Sequence, residues 1–294
     1  MTRLPIVMLA ACSSPPSHPM PAVSAPLSLA ADVHMIVIPA GRFISGSTPE
    51  ERAAAYDDYR ATAGHDAARE HQWFDSEDER HVVPEFPAYR IDLMPVTQAA
   101  YAEFVSAGGA TAPAIDEAAW KAQHLAQDYA TQVARFVWHD GRPPAGREEH
   151  PVVLVTWAEA AGYCKWRGEL AGDARHLPSS EEYEKAARGQ DGLAYPWGNA
   201  FEPDKLDSAV QGPKDTVPVG GFAAGASPFG VFELAGNVFE WTETPFGPGE
   251  MMVKGSAWED FGGLGRGASR HGRPVGIRHV IVGFRCAGEV KQAT

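Results

Sequence analysis

Glycine and proline interrupt this chain so often that long regular elements are confined to a few places. Thirty glycines and 24 prolines stand among 294 residues, and from Gly189 onward a turn-former recurs every few positions. Such punctuation predicts a loop-rich fold of short strands, held together by something other than helix propensity. Eight tryptophans and a 44% hydrophobic content supply that something, as large aromatic anchors in a core of useful size.

Charge narrows the partners. With 38 acidic against 25 basic residues, the formal net charge is −13, which gives no electrostatic footprint for nucleic acid. The first twelve residues read as an export signal, because Arg3 precedes an apolar stretch ending in Leu9-Ala10-Ala11-Cys12. That tetrapeptide resembles a bacterial lipobox, whose cysteine takes a lipid and ties the protein to a membrane. Ser13 follows the cysteine, so the expectation is a periplasmic or outer-membrane lipoprotein. Residues 13–31 are Ser, Pro and Ala, including Pro15, Pro16, Pro19, Pro21 and Pro26, a composition suited to a tether. The folded domain is expected over residues 32–290.

Within it, residues 34–40 read as a strand stopping at a Pro/Gly turn, with residues 43–46 as its hairpin partner. Residues 48–69 read as a surface helix carrying Glu50, Glu51 and Arg52 early, with His65 and His71 as solvated histidines. Thr156-Trp-Ala-Glu159 and Ser179-Ser-Glu-Glu182 both match the capping box and predict two helices. The first follows an apolar run, residues 152–155, read as a buried strand, and turns Trp157, Ala160, Ala161 and Cys164 to one face before Gly168 or Gly172. A further helix is expected after Thr97, with Tyr101, Phe104 and Val105 inward and Gly108-Gly109 as its stop. Short strands are expected at residues 217–219, 251–254 and 280–285.

Five segments occur in order: His150-Pro-Val-Val-Leu-Val-Thr-Trp157, Leu177-Pro-Ser-Ser-Glu-Glu-Tyr-Glu184 with Ala186-Ala-Arg-Gly189, Tyr195-Pro-Trp-Gly198, Gly236-Asn-Val-Phe-Glu-Trp241 and Gly283-Phe-Arg-Cys286. Together they resemble the signature series of the formylglycine-generating enzyme, or sulfatase-modifying factor, family. The resemblance implies an α+β fold, a C-type-lectin-like variant with little regular secondary structure. It also implies a copper site of two cysteines five positions apart that oxidises a sulfatase cysteine. Here Gly262 and Gly267 stand where those thiols would be, and no cysteine lies between Cys164 and Cys286. A soft copper(I) site without thiolates has no substitute ligands in this stretch, so no copper is expected.

With Cys12 given to lipid, Cys164 and Cys286 remain as a pair able to close a loop of about 120 residues, worth about 4 kcal/mol in the chain-entropy model. The resemblance implies that they are joined; the residues alone leave two buried free thiols open. It further implies structural calcium, held by the side chains of Glu233 and Glu240 and the carbonyls of Gly236 and Val238, with oxygen donors of the kind a hard cation takes. Asp207 and Asp215 are weaker candidates for a second ion. Ser256, Trp258, Arg266, Arg270 and His271 form a candidate pocket, basic against an acidic background and able to clamp a carboxylate or a peptide backbone. Loop-pinning by these arginines is an equal alternative, and it is the expectation for Arg285.

Two functional classes follow. One is a lipid-anchored binding or accessory module for a protein, peptide or glycan partner. The other is a cysteine-independent oxidoreductase resembling the pyoverdine-maturing branch, acting on a peptide or siderophore-like substrate. A histidine-based iron oxygenase of the ergothioneine-biosynthetic kind is disfavoured, since its iron ligands lie in an additional domain.

Overall fold

The computed structural model describes residues 34–290, and the expected signal, lipidation site Cys12 and tether lie outside the described residues. Among the described residues, three sheets and six α-helices form an α+β arrangement. Strands β1 (Met35–Ile38), β4 (Tyr89–Asp92), β10 (Ala287–Glu289) and β5 (Arg175–His176) form one sheet in the order β1-β4-β10-β5. Strands β8 (His271–Pro274), β7 (Glu250–Gly255), β6 (Phe239–Gly247) and β9 (Val282–Gly283) form another, in the order β8-β7-β6-β9. A two-stranded ribbon joins β2 (Phe43–Ser45) to β3 (His81–Val83).

The expected hairpin between residues 34–40 and 43–46 is therefore not formed. Strand β1 pairs antiparallel with β4, and β2 with β3, each partner lying tens of residues downstream. A Pro39-Ala40-Gly41 turn stops the first strand, but the chain leaves its sheet there rather than folding back. Residues 217–219 form no strand, and of residues 280–285 only β9 is paired in a ladder.

Helices begin where the caps said they would. Both capping boxes are closed, at α5 (Trp157–Ala171) from Thr156 and at α6 (Ser180–Arg188) from Ser179. Helix α5 ends at Gly172, whose φ of 65° is the left-handed C-cap that favours glycine. Helix α3 (Gln98–Ser106) is capped by Thr97 and buries Tyr101 and Phe104. Its Tyr101 ring stacks on Tyr163 of α5 at 5.7 Å, and Phe284 meets Tyr163 edge-on at 5.4 Å. These aromatics surround the disulfide Cys164–Cys286, which ties α5 to the segment leading into β10.

Residues 152–155 are buried, as expected, but they are not a strand. Leu154 has a φ of 61°, which breaks the pleat, and the backbone groups are satisfied one at a time. Val152 N–H donates to Val96 O at 2.9 Å, Leu154 N–H to His279 O at 3.1 Å, and Trp241 Nε1 to Val155 O at 3.1 Å. Among the described residues no helix is long and apolar enough to cross a membrane.

Candidate functional site

Strand β7 delivers the chain into the loop that carries the expected pocket. Its residues do not converge. Ser256 is buried and its Oγ accepts the Gly236 N–H at 2.9 Å. Trp258 is buried against Phe136, ring centroids 6.4 Å apart, with the Arg135 guanidinium 5.5 Å from its ring. Arg266 pairs with Glu77, donates from Nε to Gly263 O at 3.1 Å and lies 5.0 Å from the Phe74 ring centroid. Arg270 donates to Ser76 O and pairs with Asp78 at 2.6 Å. His271 meets Phe239 edge-on at 5.4 Å, and burial together with the charges of Arg273, Lys254 and Arg266 presses its imidazole down to about 3, so the ring is neutral. The contacts of Arg266 and Arg270 are those of loop-pinning, the alternative to a clamp.

What pins the loop is the segment whose role the sequence did not reveal. Helix α1 (Pro49–Ala63) starts at a capping box of Thr48 and Glu51 and buries Ala55, Tyr56 and Tyr59, so it is no free surface helix. Thr62 Oγ1 accepts from Gly262 N–H at 2.9 Å. Tyr195 accepts from Gly263 N–H at 3.1 Å and donates to Asp58 at 2.8 Å. Tyr59, Trp73 and Phe261 meet edge-on, their centroids 5.4 Å and 5.7 Å from Tyr59. Helix α1 and residues 74–78 therefore lie on the arginine loop as a fitted cover.

The two would-be thiol positions fall beneath or beside that cover. A Cβ at Gly267 would stand 2.3 Å from Arg188 Cγ, and one at Gly262 would stand 3.0 Å from the Asp58 carbonyl oxygen. Neither position has room for a cysteine without displacement.

The expected calcium ligands separate into committed and uncommitted groups. Glu240 is fully buried, with Oε2 on Arg285 Nε at 2.6 Å and Oε1 on Arg285 Nη2 at 2.7 Å, so both its oxygens are taken by the guanidinium rather than offered to an ion. The remaining Arg285 donors reach the carbonyls of Asp92, Phe232 and Glu233 at 3.1, 2.9 and 3.1 Å. The Gly236 carbonyl is turned onto the Val238 N–H at 2.9 Å, and Val238 is fully buried. Asp215 pairs with Arg147 and with Arg135 at 3.5 Å, its other oxygen accepting Thr216 N–H at 2.7 Å.

Asp207 is the exception. Both its carboxylate oxygens and the hydroxyl of Ser208 are buried without a hydrogen-bond partner. Burial, reinforced by the charges of Glu233 and Asp215, pushes the Asp207 carboxyl up to about 8. Glu233 accepts from Gly220 N–H at 2.8 Å and Asn237 Nδ2 at 3.3 Å, yet burial still pushes it up to about 7. Two unpartnered oxygens of Asp207, the Ser208 hydroxyl and a second buried acid whose charge Arg285 only partly offsets fit a hard divalent ion better than Glu240 does. Another acid and histidine cluster, His176, Glu182 and Glu243, is half-exposed. There the His176 Nδ1 lies 2.9 Å from Leu177 O, a contact that needs its proton, and Glu182 caps α6.

A groove of about 680 Å³ opens elsewhere, beside α4 (Glu117–Ala122), lined by Tyr129, Trp138, His139 and Arg278 among others. No motif in the sequence marked it.

The sulfatase-modifying factor enzyme 1-like domain model matches residues 24–290. The inactive C-alpha-formylglycine-generating enzyme 2 of Bos taurus is 32% identical over 240 residues, covering 68% of this chain and 76% of that protein. Hercynine oxygenase of Mycolicibacterium smegmatis is 35% identical over 198 residues, 63% of this chain but only 44% of the relative. Among solved structures, PvdO from Pseudomonas aeruginosa superposes with a TM-score of 0.63 at 21% identity, covering 87% of this chain and 94% of that one.

Proposed function

The chain belongs to the sulfatase-modifying factor enzyme 1-like family, and from that premise we propose that it is an exported, lipid-anchored binding or accessory module for a protein or glycan partner, without the family's copper-dependent oxidation. One observation carries the reading: glycines occupy both thiol positions, and the space a side chain would need there is filled by Arg188 and by α1. The arginines that would hold a substrate are instead spent on Glu77, Asp78 and backbone carbonyls, which also counts against a cysteine-independent oxidoreductase working through residues 266–271.

In this reading calcium is structural. Asp207, Ser208 and Glu233 would hold it, and the ion would supply the positive charge that two adjoining buried carboxylates need. Cys12 would receive the lipid, with residues 13–31 spacing the domain from an outer membrane.

The test is direct. Purified protein is incubated with copper and a cysteine peptide of the sulfatase type, and the product is read by mass spectrometry. No loss of the thiol and no aldehyde are expected; formylglycine formation would overturn the proposal. Metabolic labelling with palmitate, in wild type and Cys12→Ala, tests the anchor separately.

A further inference from the structure

We propose that the groove beside α4 is a binding site for a neutral saccharide, an inference that rests on the binding-module reading and names the ligand class it serves. The volume of about 680 Å³ lies in the range of small-ligand sites, roughly 300–1,000 Å³. Aromatic surface comes from Tyr129, with the buried Trp138 at the groove wall, while Asp116, Gln123, His139 and Arg278 bring the polar groups. Sugars present an apolar C–H face to a ring and a rim of hydroxyls that both donate and accept. Such a ligand needs donors and acceptors interleaved, without a dominating charge.

The groove meets that requirement in detail. Its charged side chains are Asp116 and Arg278, and because Arg278 is answered by Glu159 the groove keeps only the single charge of Asp116. Arg278 is already held by Glu159 at 2.6 Å and by the Leu154 carbonyl at 2.6 Å, so it offers spare N–H groups but no unanswered cation. The Gln123 amide is oriented at both ends by the Arg278 backbone, at 2.8 and 3.1 Å, leaving one further donor and acceptor capacity on each side. Tyr129 donates to Ile115 O at 2.7 Å, which leaves its oxygen to accept. Asp116 uses Oδ1 to cap α4 at 2.7 Å. His139 is exposed at the rim.

Other ligands fit less well. An anion would approach a chain of net charge −13 and find no free cation in the groove. A peptide that binds by adding a strand needs a free backbone edge, whereas the backbone of His139 closes on Arg142 at 3.2 and 3.0 Å.

The experiment uses the intact domain with chitotetraose, mannotetraose, cellotetraose and maltotetraose as neutral probes. Oligogalacturonate and a proline-rich peptide serve as the anionic and peptide probes. Calorimetry and tryptophan fluorescence report binding for wild type, Tyr129→Ala and His139→Ala, with circular dichroism confirming the fold. At least one neutral probe should bind, and each variant should weaken it by about tenfold or more. Absence of binding across the neutral probes, preference for the galacturonate or the peptide, or binding untouched by both variants would overturn the site. A protein partner captured equally by wild type and Tyr129→Ala, with no sugar bound, would leave the accessory reading standing and remove this one. Formylglycine production alongside sugar binding at Tyr129 would do the reverse.

Discussion

Two regions of this domain bury acids and treat them oppositely. Around Arg285, Glu240 is met by a bidentate guanidinium whose other donors stitch together the end of β4, the 232–233 loop and β6. Around Asp207, both carboxylate oxygens are buried without a hydrogen-bond partner and feel the charge of Glu233, which Arg285 offsets only in part. The difference separates a buried acid whose partners lie within the fold from one whose oxygens have none, and it is the second that the proposed ion would answer.

The largest effect should come from breaking the complete side. Arg285→Met leaves Glu240 buried and alone, and urea denaturation should show a loss of about 3–5 kcal/mol, much of it recovered by adding Glu240→Leu. A loss below about 1 kcal/mol would mean that the two regions do not differ as described.

The incomplete side gives the next effect. Calcium at a hundred times its dissociation constant should stabilise the domain by about 2.7 kcal/mol, read as a rise in melting temperature that Asp207→Asn removes. Without calcium, stability should fall as pH rises. The carboxyls of Asp207 and Glu233 sit at about 8 and about 7 in the folded chain, so the fold keeps protons that the unfolded chain has released. The loss therefore begins near the ordinary carboxylate range and levels off above those values, with a slope of at most about 1.4 kcal/mol per pH unit for each group. Stability that is flat from pH 5 to 8 in the absence of calcium would place charge compensation elsewhere.

Smaller effects sharpen the contrast with the covered loop. Gly267→Ala should cost about 1–3 kcal/mol, because the new methyl meets Arg188. Arg270→Ala, at the rim of the cover and paired with the exposed Asp78, should cost about 1 kcal/mol or less in thermal denaturation.

Local chemistry was legible in the sequence and long-range pairing was not. The boxes at Thr156 and Ser179 and the left-handed stop at Gly172 depend on residues a few positions apart, and each formed as the spacing required. Arg285 was read as a pin for carbonyls, and it is one, but its partner Glu240 lies 45 residues away. The strand partners of β1 and β2 could not be inferred for the same reason. At residues 152–155 the apolar run marked burial correctly and geometry wrongly, since hydrophobicity carries no signal for the turn at Leu154. Helix α1 was expected within residues 48–69 and forms over Pro49–Ala63, but its buried face was missed, although Tyr56 and Tyr59 stood on one side of it. The contacts of Arg266 and Arg270 depend on residues 74–78, part of a cover that no motif announced.

The bridge between Cys164 and Cys286 closes a span of 122 positions into a covalent ring, and that ring contains Asp207, Glu233 and the whole arginine loop. Gln211 and Lys214 stand exposed on its circumference. A protease cutting there would open the ring yet release no fragment, so in an oxidising compartment a nicked molecule stays in one piece until a reductant parts its two halves.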